Sequence, residues 1–456
     1  MVYTDYVESD TVFTSSSLFT NGDFKDDSFS RTSTIDSSLT SETKDFLSLT
    51  KTKSTLSHYG SIAATAIIET DEKENSTTFG ASLNLFNAIM GTGIIGLPLA
   101  LHLCGFWLGL FFAVSIGYLT CMAMHITILC GLHTKTFSLP ALCGSILGRI
   151  GSHVINFIIF FHTAGTAVSY YMLLGDTLPG LLALVFPNIE IVSNRKFVII
   201  MFGTFCSLPL SLSRSTARFA KWSAVTVILL TFMLAGVLIR VPVYAPPLSQ
   251  IELETVPISE NMFKGMAIMG LSFGCSQNLF GEYTSTRDKR PNSWLLTCSV
   301  AILMSFIANL IFAVLCYLCF GRNVQANILL NFPENDPAIR LVRLALGLFM
   351  VLTIPLSIHP CREAVLLMFG HDKHSASNKT HYMVTLGIFA VVLYFSATLT
   401  SLGKVFNVIG GFSTTVLGLL LPGSSYMQTQ WWCIMAFIYR VDDSNYTQRA
   451  YHLFFY

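Results

Sequence analysis

Charge is the first thing this chain lacks. Asp, Glu, Lys and Arg make up 12% of its 456 residues, with a formal net charge of +1, whereas a soluble chain carries about 25% charged residues. That leaves too little polar surface to cover a soluble fold of this length, and no basic domain to meet a nucleic acid. Catalytic motifs are missing too. There is no H-E-x-x-H, no Walker loop, no G-x-S-x-G and no close group of His with carboxylates, so neither an enzyme nor a zinc protein is expected. The chain holds 11 cysteines, yet none lies in the stretches 176–196 and 241–261. Most sit in apolar runs, including Cys316 and Cys319, whose C-x-x-C spacing lacks a partner His or carboxylate and reads as packing.

Apolar residues are what is abundant: 52% of the chain, with a mean hydropathy of +0.59. They come in blocks of about 20, the length that crosses a hydrocarbon core as a helix. Residues 1–77 stand apart. They are rich in Ser, Thr, Asp and Glu, cannot bury enough surface to fold alone, and read as a disordered acidic tail. No signal-peptide pattern precedes the first apolar block, so insertion starts there and the tail stays on the synthesis side. Ten segments are expected to span: 79–102, 106–130, 153–175, 197–212, 220–240, 262–281, 294–320, 338–360, 381–399 and 402–422.

Lys and Arg gather in alternate connections: Lys135 and Arg149; Arg214, Arg218 and Lys221; Arg287, Lys289 and Arg290; Arg362, Lys373 and Lys379. The other connections hold Arg195, Lys196, Arg240 and Arg322, and one reads QIELETVPISEN at 250–261. By the positive-inside rule the basic set and the N-terminus face the cytosol. The sequons at Asn75 and Asn378 then face away from the glycosylation machinery. A third, at Asn445, lies in an atypical tail, and all three read as unmodified.

One stretch resists this simple picture. Residues 87–98, NAIMGTGIIGLP, place Gly91, Thr92 and Gly93 in the middle of the first segment, with Pro98 beyond. Backbone inside a bilayer leaves the helix only where protein buries it or it lines a wet cavity. A break there would turn the N-H groups of a half-helix starting near Ile94 toward an anion such as a carboxylate, and the carbonyls near Ala88 and Ile89 toward a cation. The other reading is a glycine pair that lets two helices pack closely.

The sixth segment carries a second interruption, GMAIMGLSFGCSQN at 265–278, with Gly270, Gly274 and the polar run Ser276, Gln277 and Asn278. Interrupted segments at matching places in two halves point to a secondary transporter built from inverted repeats. The tetrapeptide AIMG occurs in both, at 88–91 and 267–270. In the eighth segment, LTIPLSIHPCRE at 352–363, Thr353 and Ser357 lie on one helix face, where hydroxyls either ligate a small hard cation or satisfy their own backbone beside Pro355 and Pro360. Asp176, Glu282 and Glu363 stand only near segment ends, which favours a neutral-oxygen Na⁺ site over a carboxylate proton relay. His125, His162 and His359 are intramembrane ionisable groups, read first as packing or hydrogen bonding and second as proton carriers.

These residues carry a resemblance. SLNLFNAIMGTGIIGLPLAL at 82–101 with CGFWLGL at 104–110, LTIPLSIHPCREAV at 352–365 and SLGKVFNVIGGFSTTVLGLLLPG at 401–423 are similar to the first, eighth and tenth spans of the amino acid/auxin permease family, particularly its sodium-coupled neutral amino acid transporters. The resemblance covers about 79–423. It implies an all-α polytopic membrane protein with a LeuT-like five-plus-five inverted repeat and broken first and sixth spans. It also implies a cytosolic N-terminus and Na⁺-coupled symport of small neutral amino acids, with Na⁺ as coupling ion and no cofactor.

Carried over singly, Asn87 and Thr353 match the family's Na⁺ site, with Ser357 beside them. Ala88, Ile89, Met90 and Gly91 fall where its substrate meets the backbone, with Thr92 and Gly93 completing the break. Ser272 and Phe273 follow as a polar contact and a gate. The expected organisation is a tail at 1–77, a ten-span core at 78–423 and an atypical segment at 424–456. In that last segment WWCIMAFIY at 431–439 is too short for the family's eleventh span. The family's exterior disulfide finds no cysteine here. The expected partners are a small neutral amino acid, the bilayer and a cytosolic partner of the tail, in the plasma membrane or a lysosomal or endosomal membrane. YGSI at 59–62 fits a short sorting pattern. A sensor signalling through the tail, a proton-coupled transporter and a channel are the other readings of the same chain.

Overall fold

The computed structural model describes residues 76–91, 93–214, 217–247, 253, 259–371 and 377–438, with side chains left out at 217–224 and 431–438. Most of the tail, Thr92, the sequons at Asn75 and Asn445 and the YGSI stretch lie outside the described residues. Within them the chain is helical, and the single strand-like feature is a parallel bridge between Ser76 and Thr286. Seven helices are long and apolar enough to cross a membrane, or eight when the bent pair Thr78–Ile89 and Gly93–Cys104 counts as one.

Eight of the ten expected segments are therefore met in that form. The fourth is a shorter helix from Arg195 through a π-turn at Gly203–Ser207 to Ser211. The sixth is two pieces, Glu260–Phe273 and Leu279–Ser285. The segments keep their sequence-given numbers below. Their order, with the interrupted member first in each group of five, is the LeuT-like five-plus-five plan. The remaining segments are Phe106–Thr134, Leu139–Val185, Ala217–Tyr244, Pro291–Phe320, Pro337–Met368, Asn378–Thr398 and the run from Leu402 to Ile438.

Local chemistry sets where these helices start. Thr77, Asn194, Asp336 and Ser377 each accept a backbone N-H of the first turn through a side-chain oxygen, satisfying donors that the helix leaves open. Pro291 and Pro337 occupy the first turn, where a missing N-H costs nothing. Gly148 bends the third segment with φ +69°, and Gly105 turns the first segment into the second with φ +78°. Both sit in backbone conformations that side chains rarely adopt.

The surface is apolar where a bilayer would touch it. Trp107, Phe111, Tyr118, Phe205, Ile228 and Leu344 are exposed, a cost in water but not in lipid. The tenth segment departs from expectation in length. Its helix continues through Pro422 and Gly423 and carries residues 424–438 along with it. Its middle is π-helical, at Ile409–Thr414 and Val416–Leu420, a form that appears mostly as short bulges and often at functional sites.

Candidate functional site

The first segment breaks where the sequence places it. Its first half ends at Ile89, and Met90 has φ −74° and ψ 74°, while the Gly91 N-H donates to the Ile89 carbonyl at 2.8 Å. This is an inverse γ-turn, an i to i+2 bond that closes without helical geometry. The second half starts at Gly93, and the two halves meet at 64°. One carbonyl expected to be free is thus partly engaged. Ile89 accepts from Gly91 and keeps one lone pair. Ile89 and Met90 are buried, and Asn87, Ala88 and Gly91 half-buried.

The sixth segment breaks at Gly274, which is extended at φ −76° and ψ 124°, followed by Cys275 and a 3-10 turn over Ser276–Asn278. Gly270, counted with this interruption in the sequence, is still helical. Ser272 and Phe273 are the last buried residues before the break. The Ser272 hydroxyl donates to the Ile268 carbonyl at 2.8 Å, and Phe273 stacks on Phe306 at 6.2 Å. Gln277 carries a buried Oε1 without a partner among the described residues.

The two breaks touch. A Cβ on Gly93 would fall 2.5 Å from the Ser272 Cα and 2.8 Å from its nitrogen, so backbone meets backbone. The glycine-packing alternative is therefore realised at Gly93, in the same place as the break. Tyr170, a residue of the third segment that sequence reasoning missed, reaches the first break. Its hydroxyl lies 3.5 Å from where a Gly91 Cβ would be, and its ring packs edge-on against Phe349. No spacing along the chain could have linked Tyr170 to Gly91.

The tenth segment closes the other side. A Gly410 Cβ would fall 1.9 Å from the Ala267 carbonyl oxygen, and a Gly274 Cβ 2.7 Å from Thr414 Cγ2. His162 of the third segment pairs through Nδ1 with Ser413 Oγ at 3.0 Å. Because that hydroxyl donates to the Ile409 carbonyl, it accepts here, and Nδ1 carries the proton. This is the hydrogen-bonding role for His162. His359 is also hydrogen-bonded, but its Nδ1 accepts, from Arg362 at 2.6 Å.

The three ion candidates lie on two elements. Asn87 is on the last turn of the first half-helix, and Thr353 and Ser357 are one turn apart on the eighth segment, which runs unbroken through Pro355 and Pro360. Thr353 Oγ1 donates to the Phe349 carbonyl at 2.7 Å, the self-bonding a helical threonine makes to the carbonyl four residues back. With its proton committed, the oxygen lone pairs point away as acceptors. No group of three or more His, Cys, Asp or Glu that could hold a metal occurs among the described residues.

Two half-helix junctions apposed in the middle of an apolar helical core define a membrane protein of the secondary-transporter class, not an enzyme. The chain belongs to the family described as transmembrane amino acid transporter protein, whose model matches residues 74–435. A Danio rerio relative provisionally named sodium-coupled neutral amino acid transporter 11 is 27% identical over 366 residues, covering 79% of this chain and 81% of its own. Vacuolar amino acid transporter 2 of Saccharomyces cerevisiae is 25% identical over 370 residues, covering 78% and 77%. Among solved structures, a Na⁺-coupled sialic acid symporter in a substrate-bound outward-open state overlaps with a TM-score of 0.49 at 12% identity, covering 82% of this chain and 85% of that one.

Proposed function

We propose that this amino acid transporter couples Na⁺ entry to the uptake of small neutral amino acids by alternating access. The observation that carries this reading is the contact of Gly93 with Ser272, which joins two broken segments at one point of the core. Na⁺ is held by carbonyls at the end of the first half-helix, by Asn87 and by the hydroxyls of Thr353 and Ser357. The substrate carboxylate takes the N-H groups that open the second half-helix around Thr92 and Gly93, its backbone lies along Ala88, Ile89, Met90 and Gly91, and Ser272 and Phe273 flank it. Ion and substrate together favour the closed arrangement, since a ligand shifts a conformational equilibrium only through its differential affinity for the two states. The N-terminal tail lies in the cytosol, and the membrane is that of the cell surface or of a lysosome or endosome.

The test is uptake of radiolabelled glutamine and alanine into proteoliposomes under an inward Na⁺ gradient, with choline in its place, and under an imposed pH gradient. Accumulation should follow the Na⁺ gradient. Thr353→Ala should raise the Na⁺ concentration for half-maximal uptake by about tenfold, the equivalent of ~1.4 kcal/mol. Accumulation driven by the pH gradient without Na⁺ would replace sodium with proton coupling. Saturable binding without accumulation would make the chain a sensor.

A further inference from the structure

Ser76, through which the tail enters the first segment, is tied by its backbone to the end of the sixth. Its N-H donates to the Ser285 carbonyl at 3.0 Å, and its own carbonyl accepts from the Arg287 N-H at 3.0 Å. Its hydroxyl adds a bond to the same Ser285 carbonyl at 3.3 Å. The helix that follows extends the attachment onto the seventh segment. Thr78 Oγ1 and Ser293 Oγ lie 3.2 Å apart, and the buried Ser82 hydroxyl is shared between the Thr78 carbonyl at 3.0 Å and the Thr297 carbonyl at 3.2 Å. The receiving side is fixed by bonds of its own. The Thr286 hydroxyl donates to the Glu282 carbonyl at 2.8 Å, the Tyr283 hydroxyl donates to the Lys289 carbonyl at 2.8 Å, and the Tyr283 ring meets Trp294 edge-on at 5.1 Å.

Between Ser76 and the break at Met90 stand the 12 residues of Thr78–Ile89, a lever of about 18 Å. A swing of about 10° at the break moves its far end by about 3 Å, which carries the bonds at Ser76 well past the limit of about 3.2 Å for an N-H to O bond. Beyond the break the first segment meets the sixth differently, through the close approach of Gly93 to the Ser272 backbone. The two halves of the first segment therefore answer to different partners. We propose that Ser76, Ser285 and Arg287 form a latch that holds the core shut on the tail's side of the membrane, released when the first half-helix swings about the break. The backbone carries the pairing, so exchange of the Ser76 side chain leaves it in place, whereas a pull on the tail acts on it directly. The latch rests on the alternating-access reading.

The test uses the full chain in proteoliposomes with Thr78→Cys and Ser293→Cys together, at side chains that already meet and that a disulfide would lock. Oxidation should cut uptake of radiolabelled alanine or glutamine by about tenfold or more, reduction should restore it, and wild type treated in parallel should keep its uptake. Unchanged uptake by the cross-linked protein, or failure of the pair to cross-link, would overturn the proposal. A second arm needs no substrate. Ser82→Cys, at a position 1% exposed, should react slowly with a maleimide, read at that residue by mass spectrometry. Adding Ser76→Pro, which deletes the N-H donor, should speed the reaction several-fold. Equal rates would overturn the latch and leave the transport reading untouched. A faster rate in Ser76→Pro, in a chain whose wild type accumulates neither amino acid, would keep the latch and overturn the transport reading.

Discussion

Where the sixth segment meets the first and the tenth, the contacts are made by missing atoms: Gly93 lies on the Ser272 backbone, and Gly410 lies on the Ala267 carbonyl. The C-terminal part of the eighth segment is held in the opposite way. There Arg362, 2% exposed, donates to the Ser211 carbonyl at 2.9 Å, to Thr385 Oγ1 at 3.2 Å, to the Ser213 carbonyl at 3.4 Å and to His359 Nδ1 at 2.6 Å. One guanidinium thereby joins the ends of the fourth, eighth and ninth segments. At the other face, Asp176 binds Arg195 at 2.7 Å, and Arg195 also donates to the Ser396 and Leu399 carbonyls. Directional bonds to a charged fork fix register, whereas close packing of small residues sets the distance between backbones without a directional bond. The difference separates a part joined by close approach alone, at the Gly93 and Gly410 contacts, from a part joined by directional bonds, at the ends of the third, fourth, eighth and ninth segments.

The largest effect should come from filling a glycine contact. Gly410→Ala puts a methyl 1.9 Å from a carbonyl oxygen and 2.7 Å from its carbon, and backbone cannot step aside as a side chain can. Overpacking of this kind costs about 1–3 kcal/mol and occasionally more, so uptake should be lost with a lower melting temperature. Ala267→Gly should not rescue it, because the clash is with the main chain. Rescue would show that the contact is made by side chains.

Arg362→Ala tests the other region. It strips a donor from one buried and one half-buried carbonyl, a hydroxyl and an imidazole, and hydrogen bonds to charged groups are worth about 1.5–3 kcal/mol. A clear fall in thermal midpoint is expected, with Arg362→Lys intermediate, since an ammonium lacks the planar fork. Equal midpoints for Lys and wild type would mean that the charge, and not the geometry, holds these ends together.

A smaller and pH-dependent effect is expected at Asp336, which precedes the eighth segment. Burial alone would raise its pKa. The Tyr244 hydroxyl, Arg240 and the Ala338 and Ile339 amides outweigh that and hold it below the usual 3.8, with Tyr244 at 2.7 Å and Ala338 at 2.9 Å. A depressed carboxylate contributes stability that is complete above the unfolded value and disappears as pH falls through the folded one. Melting scans from neutral to acid pH should therefore show wild type losing its advantage over Asp336→Asn below the usual carboxylate range. Parallel curves would show that the carboxylate's charge contributes nothing.

The smallest effect sharpens the comparison from within the closely packed part. A Cβ on Gly270 would meet nothing within 4 Å, and Gly to Ala inside a helix stabilises by roughly 0.5–1 kcal/mol. Gly270→Ala should keep or slightly raise the melting temperature, in contrast to Gly93→Ala. Lower uptake by this well-folded variant would assign the open space at Gly270 to the substrate.

Both interruptions were legible because glycine and polar residues inside an apolar block have few explanations in a bilayer. Gly91–Gly93 and Gly274–Asn278 are where the helices stop. Gly270 was counted with them, yet it stays helical, because a single glycine weakens a helix without ending it. Thr353 and Ser357 could be placed on one face from their spacing. Tyr170 could not be singled out, since it lies far along the chain from Gly91, and nothing in the neighbouring sequence marks it.

By itself the sequence determined the membrane class, the order of apolar segments and the two places where helix gives way. These depend on local composition and on a solvent that tolerates no unpaired backbone. Only the tertiary structure decided what those places face. It set Gly93 on Ser272, the Tyr170 hydroxyl beside Gly91 and the π-helical tenth segment against Ala267. The physical reason is range. Helix formation depends on neighbours within a few residues, whereas close packing depends on atoms that the chain brings together from hundreds of residues apart.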